Sequence, residues 1–139
     1  MSRFILDASI GVKALLPEAD SLKAAAILED YRKQIHELIA PDIFPVEVAH
    51  ALTRAERKGL ILPADGLRLF KTMVNALPKL HSHLPLLARA YEISSAARHG
   101  VYDCIYLAFS EEQSCPLLTS DDKLIKAFPS ANIVSLSSF

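Results

Sequence analysis

No apolar run in this 139-residue sequence approaches the roughly 20 residues that a membrane-spanning helix needs. The opening MSRFILDAS holds one arginine and a very short apolar run before an acid, too little for a secretory signal. A cytoplasmic location with no membrane attachment is therefore the expectation. Charge of one sign is also missing. Fifteen basic and 16 acidic residues give a net charge of −1, so the total does not indicate a strongly basic nucleic-acid binder, although a local patch could still meet a polyanion. Cysteine is scarce. Cys104 and Cys115 form no CxxC pair and match no zinc spacing. Beside apolar neighbours, both read as reduced, small core side chains suited to a reducing compartment. Internal repeats, low-complexity segments and linkers are absent as well. What is present, 51% hydrophobic and 22% charged residues, fits an ordinary globule. The expectation is a single domain over 1–139 with one core.

Short apolar runs alternate with helical patterns. RFIL (3–6), ELIA (37–40), KLHSH (79–83), residues 116–119 and NIVSL (132–136) read as strands. Helices are expected over 10–16, stopping near Pro17, and over 18–34, where Leu22, Ala25, Ala26 and Glu29 give an amphipathic look. A further helix follows Asp42, read as its N-cap, with Val46, Ala49, Leu52 and Ala55 on one face and Gly59 at its end. Others are expected over 63–76, from Pro85 to His99 with Gly100 closing it, over 103–113 and over 122–127. The pattern predicts an α/β fold: a parallel sheet of about four or five short strands flanked by helices. Sites in such sheets form where the chain leaves the carboxyl ends of strands.

Four acids stand out by position. Asp7 ends the first strand, Glu47 lies near the start of a helix, Asp103 opens the apolar helix of GVYDCIYLA, and Asp121 follows the strand PLLT. A structural role suffices for each alone: Asp7, Asp103 and Asp121 as helix caps or dipole partners, Glu47 as a surface residue. Gathered in an apolar setting they would repel one another unless protonated or neutralised by a cation. An oxygen-only cluster suits Mg²⁺ or Mn²⁺.

The ordered blocks FILDAS (4–9), APDIFPVEVAHAL (40–52) and VYDCIYLAFSEEQSCPLLTSDDKL (101–124) resemble those of PIN-domain proteins. The nearest likeness is to the short, single-domain prokaryotic group that includes VapC-type toxins. The match covers nearly the whole chain and is poorest around 60–90. The resemblance implies a three-layer fold and an endoribonuclease site dependent on Mg²⁺ or Mn²⁺. In it, Asp7, Glu47, Asp103 and Asp121 match the acidic quartet that binds metal and carries catalysis. Thr119 matches a hydroxyl position before the last acid, and Ser9 a small hydroxyl residue after the first; both would orient the acids. It further implies hydrolysis of RNA by metal-activated water, a VapB-type antitoxin as partner, and a homodimer. One departure is His50, where many relatives carry Asn three residues after the helix glutamate. His offers a donor and an acceptor when neutral and only donors when charged, so it could keep a supporting hydrogen bond, make activity fall at low pH, or mark a weakened enzyme.

Two other readings compete. His50 motivates a catalytically silent PIN-like scaffold that binds RNA or protein. A phospho-acceptor receiver domain also gathers acids at strand ends, but it expects an acidic pair after the first strand, where this chain has Asp7 alone. Weaker signals remain. His81 and His83 form an H-x-H that lacks a third ligand, so an exposed strand edge is the better reading. His99 is read as a partner of a helix dipole. Lys13, Arg54, Lys58 and Arg98 are candidates for phosphate contact, and Tyr102 and Tyr106 for base stacking, with solvated surface and core as the plainer roles. Within the Asp121-Asp122 pair, Asp121 is the acid expected to face the cation, with Thr119 behind it, and Asp122 the start of the next helix.

Overall fold

The computed structural model describes residues 2–139. In chain order the elements are β1 (Ser2–Leu6), α1 (Ala8–Leu15), α2 (Ser21–Arg32), β2 (His36–Pro41), α3 (Phe44–Arg57), α4 (Pro63–Val74), β3 (Lys79–His81), α5 (Leu87–Ala97), α6 (Val101–Gln113), β4 (Leu117–Thr119), α7 (Asp122–Ala127) and β5 (Ile133–Ser135). Single 3₁₀ turns precede α5 (Leu84–Leu86) and follow β5 (Leu136–Ser138). The five strands form one sheet in the order β3-β2-β1-β4-β5. Every neighbouring pair is parallel, with Ile5 opposite both Ile39 and Leu117.

Strand alternation divides the interior. Leu6, Leu38, Ala40 and Leu118 turn to one face and pack with Phe44, Val48, Leu52 and Met73 beneath α1 to α4. Ile5, Ile39 and Leu117 turn to the other and pack with Ile105, Tyr106 and Phe109 of α6. Successive side chains of a strand point to opposite faces, so a sheet covered on both sides is apolar at every position. The single core expected from length is thus two apolar clusters separated by the sheet. The layers are helix, sheet, helix, as the resemblance implies.

Helix α6 is the most deeply set. Its residues Cys104 to Ser110 are all buried. Both cysteines are free and buried, and burial raises their thiol pKa values, which keeps them protonated and inert.

Three local expectations are corrected. Asp42 does not cap α3; Ile43 holds that position, and the Asp42 carboxylate instead accepts from the His83 backbone N–H at 3.1 Å and meets His83 Nδ1 at 2.6 Å. Val46 and Leu22 face outward, at 68% and 85% exposure, because α3 packs through Phe44, Val48, Leu52 and Ala55, and α2 through Ala24 and Ile27. α5 ends not at Gly100 but at Arg98, which takes the left-handed conformation (φ 55°), leaving Gly100 to lead into α6. The strand-edge reading of His81 and His83 agrees with the structure, in which His81 ends the edge strand and His83 lies just beyond it. The His81 ring packs against Phe109 from the edge strand β3, whereas His83 serves Asp42.

Candidate active site

The strand order reverses direction between β1 and β4, with β2 and β3 on one side and β5 on the other. In an open parallel sheet such a reversal opens a crevice at the strands' carboxyl ends. Asp7 leaves β1 into it, and Thr119 and Asp121 leave β4 beside it.

Asp7 is 7% exposed. It occupies the N-cap position of α1, yet its side chain makes no capping bond. Two hydroxyls take its carboxylate instead. Ser9 Oγ donates to Asp7 Oδ2 at 2.6 Å, and Thr119 Oγ1 donates to the same oxygen at 2.8 Å. Each hydroxyl has one proton and both are spent on Asp7, so the 3.2 Å approach of Ser9 Oγ to Thr119 Oγ1 is a consequence of that sharing. Their lone pairs are used as well: Ser9 Oγ accepts from Ser120 N–H and Thr119 Oγ1 from Asp121 N–H, both at 3.1 Å. Burial raises the Asp7 pKa and the Asp103 charge adds to the rise, while the two hydroxyls oppose it.

Glu47 lies in the first turn of α3, half-buried, across from these groups. Its carboxyl is pushed up to about 7, first by burial and then by the charges of Asp7 and Asp103; the nearby Tyr106 hydroxyl works the other way. Glu47 Oε1 and the Tyr106 hydroxyl are both buried, and neither has a hydrogen-bond partner of good geometry. Asp103 enters from the first turn of α6, with its Oδ2 2.7 Å from His99 Nε2.

Asp7, Glu47 and Asp103 are therefore brought within mutual electrostatic reach, and none of the three acts as a helix cap. Asp121 differs. It does cap α7, its Oδ1 accepting from Lys123 N–H at 3.0 Å and Leu124 N–H at 3.3 Å. Its tie to the cluster is through the Thr119 hydroxyl. Asp122 is exposed and begins α7. His50 is exposed one turn beyond Glu47; among the described residues its ring makes no hydrogen bond to an acid, while its carbonyl accepts from Thr53. With Val46, Glu47 and Tyr102 it lines a cleft of about 320 Å³. A larger cleft of about 480 Å³, bordered by Arg89, Glu111 and Phe128, holds none of the four acids. Lys13 is occupied by Glu18 and the Ala19 carbonyl, at 3.4 and 3.2 Å.

The donor set fits a hard divalent ion. It is all oxygen, it is partly desolvated, its members repel one another, and one buried carboxylate oxygen has only the Tyr106 hydroxyl nearby, short of good hydrogen-bond geometry. Among the described residues no three His, Cys, Asp or Glu side chains are grouped closely enough to hold a metal ion, so what fits is the chemistry of the donors rather than a formed cage.

Two neighbours of the quartet escaped the sequence reading in this role. His99 stands four residues before Asp103, and Tyr106 three residues after it. Only Tyr106 shares the helix α6 with Asp103, at a spacing that puts both on one face; His99 lies in the segment before α6, where helical spacing gives no signal.

Comparison with known proteins follows the same lines. The PIN domain family model matches residues 4–128. Ribonuclease VapC3 of Pyrobaculum aerophilum is 31% identical over 132 residues, covering 91% of this chain and 95% of its own. Ribonuclease VapC12 of Mycobacterium tuberculosis is 30% identical over 123 residues, covering 88% and 90%. In fold, PAE2754 from Pyrobaculum aerophilum superposes with a TM-score of 0.74 at 20% identity, over 99% of this chain and 85% of that one. VapBC2 from Rickettsia felis, bound to a DNA fragment from the promoter, gives 0.66 at 14% identity, over 96% and 98%. A family match across nearly the whole chain, on a sheet whose switch point brings acids from separate segments together, places this protein in the PIN-domain family, among its VapC-type members.

Proposed function

We propose that the protein is a divalent-metal-dependent endoribonuclease that hydrolyses RNA phosphodiester bonds, and the toxin of a type II toxin–antitoxin pair. The observation that carries this reading is the convergence of buried Asp7, half-buried Glu47 and the partly exposed Asp103 within electrostatic reach of one another, with Glu47 Oε1 lacking a hydrogen-bond partner of good geometry. The relatives named ribonucleases support it.

Asp7, Glu47, Asp103 and Asp121 would hold Mg²⁺ or Mn²⁺. Such an ion, when bound, activates water and stabilises charge on the phosphodiester. The chain's own groups do the rest. The hydroxyls of Ser9 and Thr119 favour the charged form of Asp7 against its burial. Glu47, poised near neutrality, gives up its proton as positive charge arrives. Asp121 holds α7 in place while its peptide N–H anchors the Thr119 hydroxyl. Tyr102, 62% exposed on the rim of the cleft with His50, offers a ring face to an RNA base. An antitoxin of the VapB type would enter the same acidic cleft, and a homodimer and a cytoplasmic site of action complete the reading.

Cleavage mapping on total RNA at several Mn²⁺ concentrations tests it. Wild type is expected to cut at defined positions in a metal-dependent manner, and Asp7→Asn and Asp103→Asn to lose the cuts. Unchanged cleavage by either variant overturns the assignment. A second reading, a silent scaffold, draws on the exposed His50 and the open spacing of the acids. Absence of Mn²⁺ binding in titration calorimetry, together with no cleavage of diverse RNAs, selects that alternative.

A further inference from the structure

We propose that His99 is a positioning residue for Asp103, holding one carboxylate oxygen so that the other faces the cation; this rests on the reading of Asp103 as a metal ligand. His99 is fixed from three sides. Its backbone N–H donates to the Ser94 carbonyl at 3.2 Å, and its own carbonyl accepts from the Ser94 hydroxyl. Its ring stands edge-on to Phe128, with centroids 5.2 Å apart and an interplanar angle of 75°. From that seat Nε2 lies 2.7 Å from Asp103 Oδ2. The ionised carboxylate can only accept, so Nε2 carries the shared proton whether the ring is neutral or charged.

Asp103 needs such a holder. Unlike buried Asp7 it has room to swing outward, with 32% of its side chain open to solvent. The charges of Asp7 and Asp103 act on one another, and both act on Glu47. Repulsion favours rotation of Asp103 towards water, and a fixed donor behind it opposes that rotation. The His99 ring also joins two parts of the site, because Phe128 closes the short helix that Asp121 caps. Groups that hydrogen-bond a metal ligand set its orientation and basicity, and their loss typically weakens metal binding by about 10- to 100-fold.

The test uses the full-length protein with His99→Leu and His99→Gln. Leu keeps the apolar contact with Phe128 and removes the donor; Gln restores an N–H near the Nε2 position. Calorimetric titration with Mn²⁺ is expected to show affinity reduced by about 10- to 100-fold in His99→Leu and largely recovered in His99→Gln. RNA cleavage at limiting Mn²⁺ should follow the same order through kcat, with KM for RNA little changed. Equal Mn²⁺ affinity in wild type and His99→Leu overturns the proposal, as does a Gln variant as impaired as Leu while thermal unfolding remains normal. A metal-free readout separates this from the nuclease reading. In proton NMR, the His99 Nε2–H resonance should be protected from exchange in wild type and lost in Asp103→Ala. If it behaves so while wild type neither binds Mn²⁺ nor cleaves RNA, the contact stands and both the nuclease assignment and the cation role of His99 fall.

Discussion

The Thr119 hydroxyl donates to Asp7 Oδ2 at 2.8 Å, joining residues 112 positions apart in the chain. The same hydroxyl accepts from the Asp121 peptide. One side chain thereby ties the first acid of the quartet to the last. Thr119→Val keeps the shape and removes both bonds. It should cost about 1–3 kcal/mol, since a buried acceptor loses its donor, and urea unfolding measures this. The Asp7 pKa, already raised, should rise further, moving the acid limb of the cleavage profile to higher pH. An unchanged profile would show that Thr119 does not support Asp7 in the reaction.

Asp121 and Asp122 should separate cleanly. Asn is as good an N-cap as Asp, so Asp121→Asn retains the bonds to Lys123 and Leu124 and should unfold within a few tenths of a kcal/mol of wild type. Its cleavage rate should nevertheless drop at least tenfold if its charge serves a cation. Asp122→Asn, at an exposed position, should alter neither by much. Equal losses of activity in the two variants would contradict the assigned asymmetry.

Glu47 makes stability depend on pH in a direction opposite to that of a salt-bridged acid. Its carboxyl titrates near about 7 in the folded protein against an ordinary 4.5. Between these values the folded state binds a proton that the unfolded chain has released. Its contribution to stability is therefore complete below the lower value and is lost as pH rises through the upper one. Asp7, also raised, acts in the same direction. Thermal unfolding of metal-free protein, compared with Glu47→Gln, should show wild type losing about 1–3 kcal/mol relative to the variant between pH 5 and 8. Mn²⁺ should reverse the trend, stabilising wild type more at pH 8 than at pH 5.5, because protons compete with the ion. Parallel curves for the two proteins would refute the burial of charge at Glu47.

Gly11 sets how closely α1 approaches α3. A Cβ there would lie 3.0 Å from the Phe44 ring, 3.3 Å from Met73 Cε and 3.4 Å from a Val48 methyl. Gly11→Val should cost about 1–3 kcal/mol through overpacking and lower cleavage, since α1 and α3 carry Ser9 and Glu47. Gly66→Ala meets only the flexible Glu56 side chain and should be neutral or stabilising by up to about 1 kcal/mol from helix propensity. Denaturant midpoints for the two variants decide it.

Much of this was legible in the residues. The five strands and the helices between them lie within a few residues of where the residue pattern places them; four strands are apolar runs, as a sheet covered on both faces needs, whereas the edge strand β3 is Lys79-Leu80-His81. The faces of α2 and α3 were harder. A spacing of three, as from Val46 to Ala49 to Leu52, drifts around a helix of 3.6 residues per turn, so Val46 turned out exposed and Phe44 and Val48 buried. The partners of each acid were the least legible. Position alone made Asp7, Asp103 and Asp121 equally good caps; only Asp121 caps, because Asp7 is claimed by hydroxyls from two segments and α6 begins at Val101 rather than at 103, which puts Asp103 inside its first turn. Such choices depend on contacts between distant parts of the chain. Asp42 illustrates the same point, drawn away from α3 by His83.

The order of strands carries a consequence for the protein's birth. β1 pairs with β4, and the crevice between them exists only when both are present. A chain emerging from the ribosome exposes Asp7 early, yet it cannot complete the pocket until residues beyond 121 have emerged and β4 has slotted beside β1. On the proposed reading, the acids cannot gather until the chain has been made past Asp121, so the site forms only after segments more than a hundred residues apart have met.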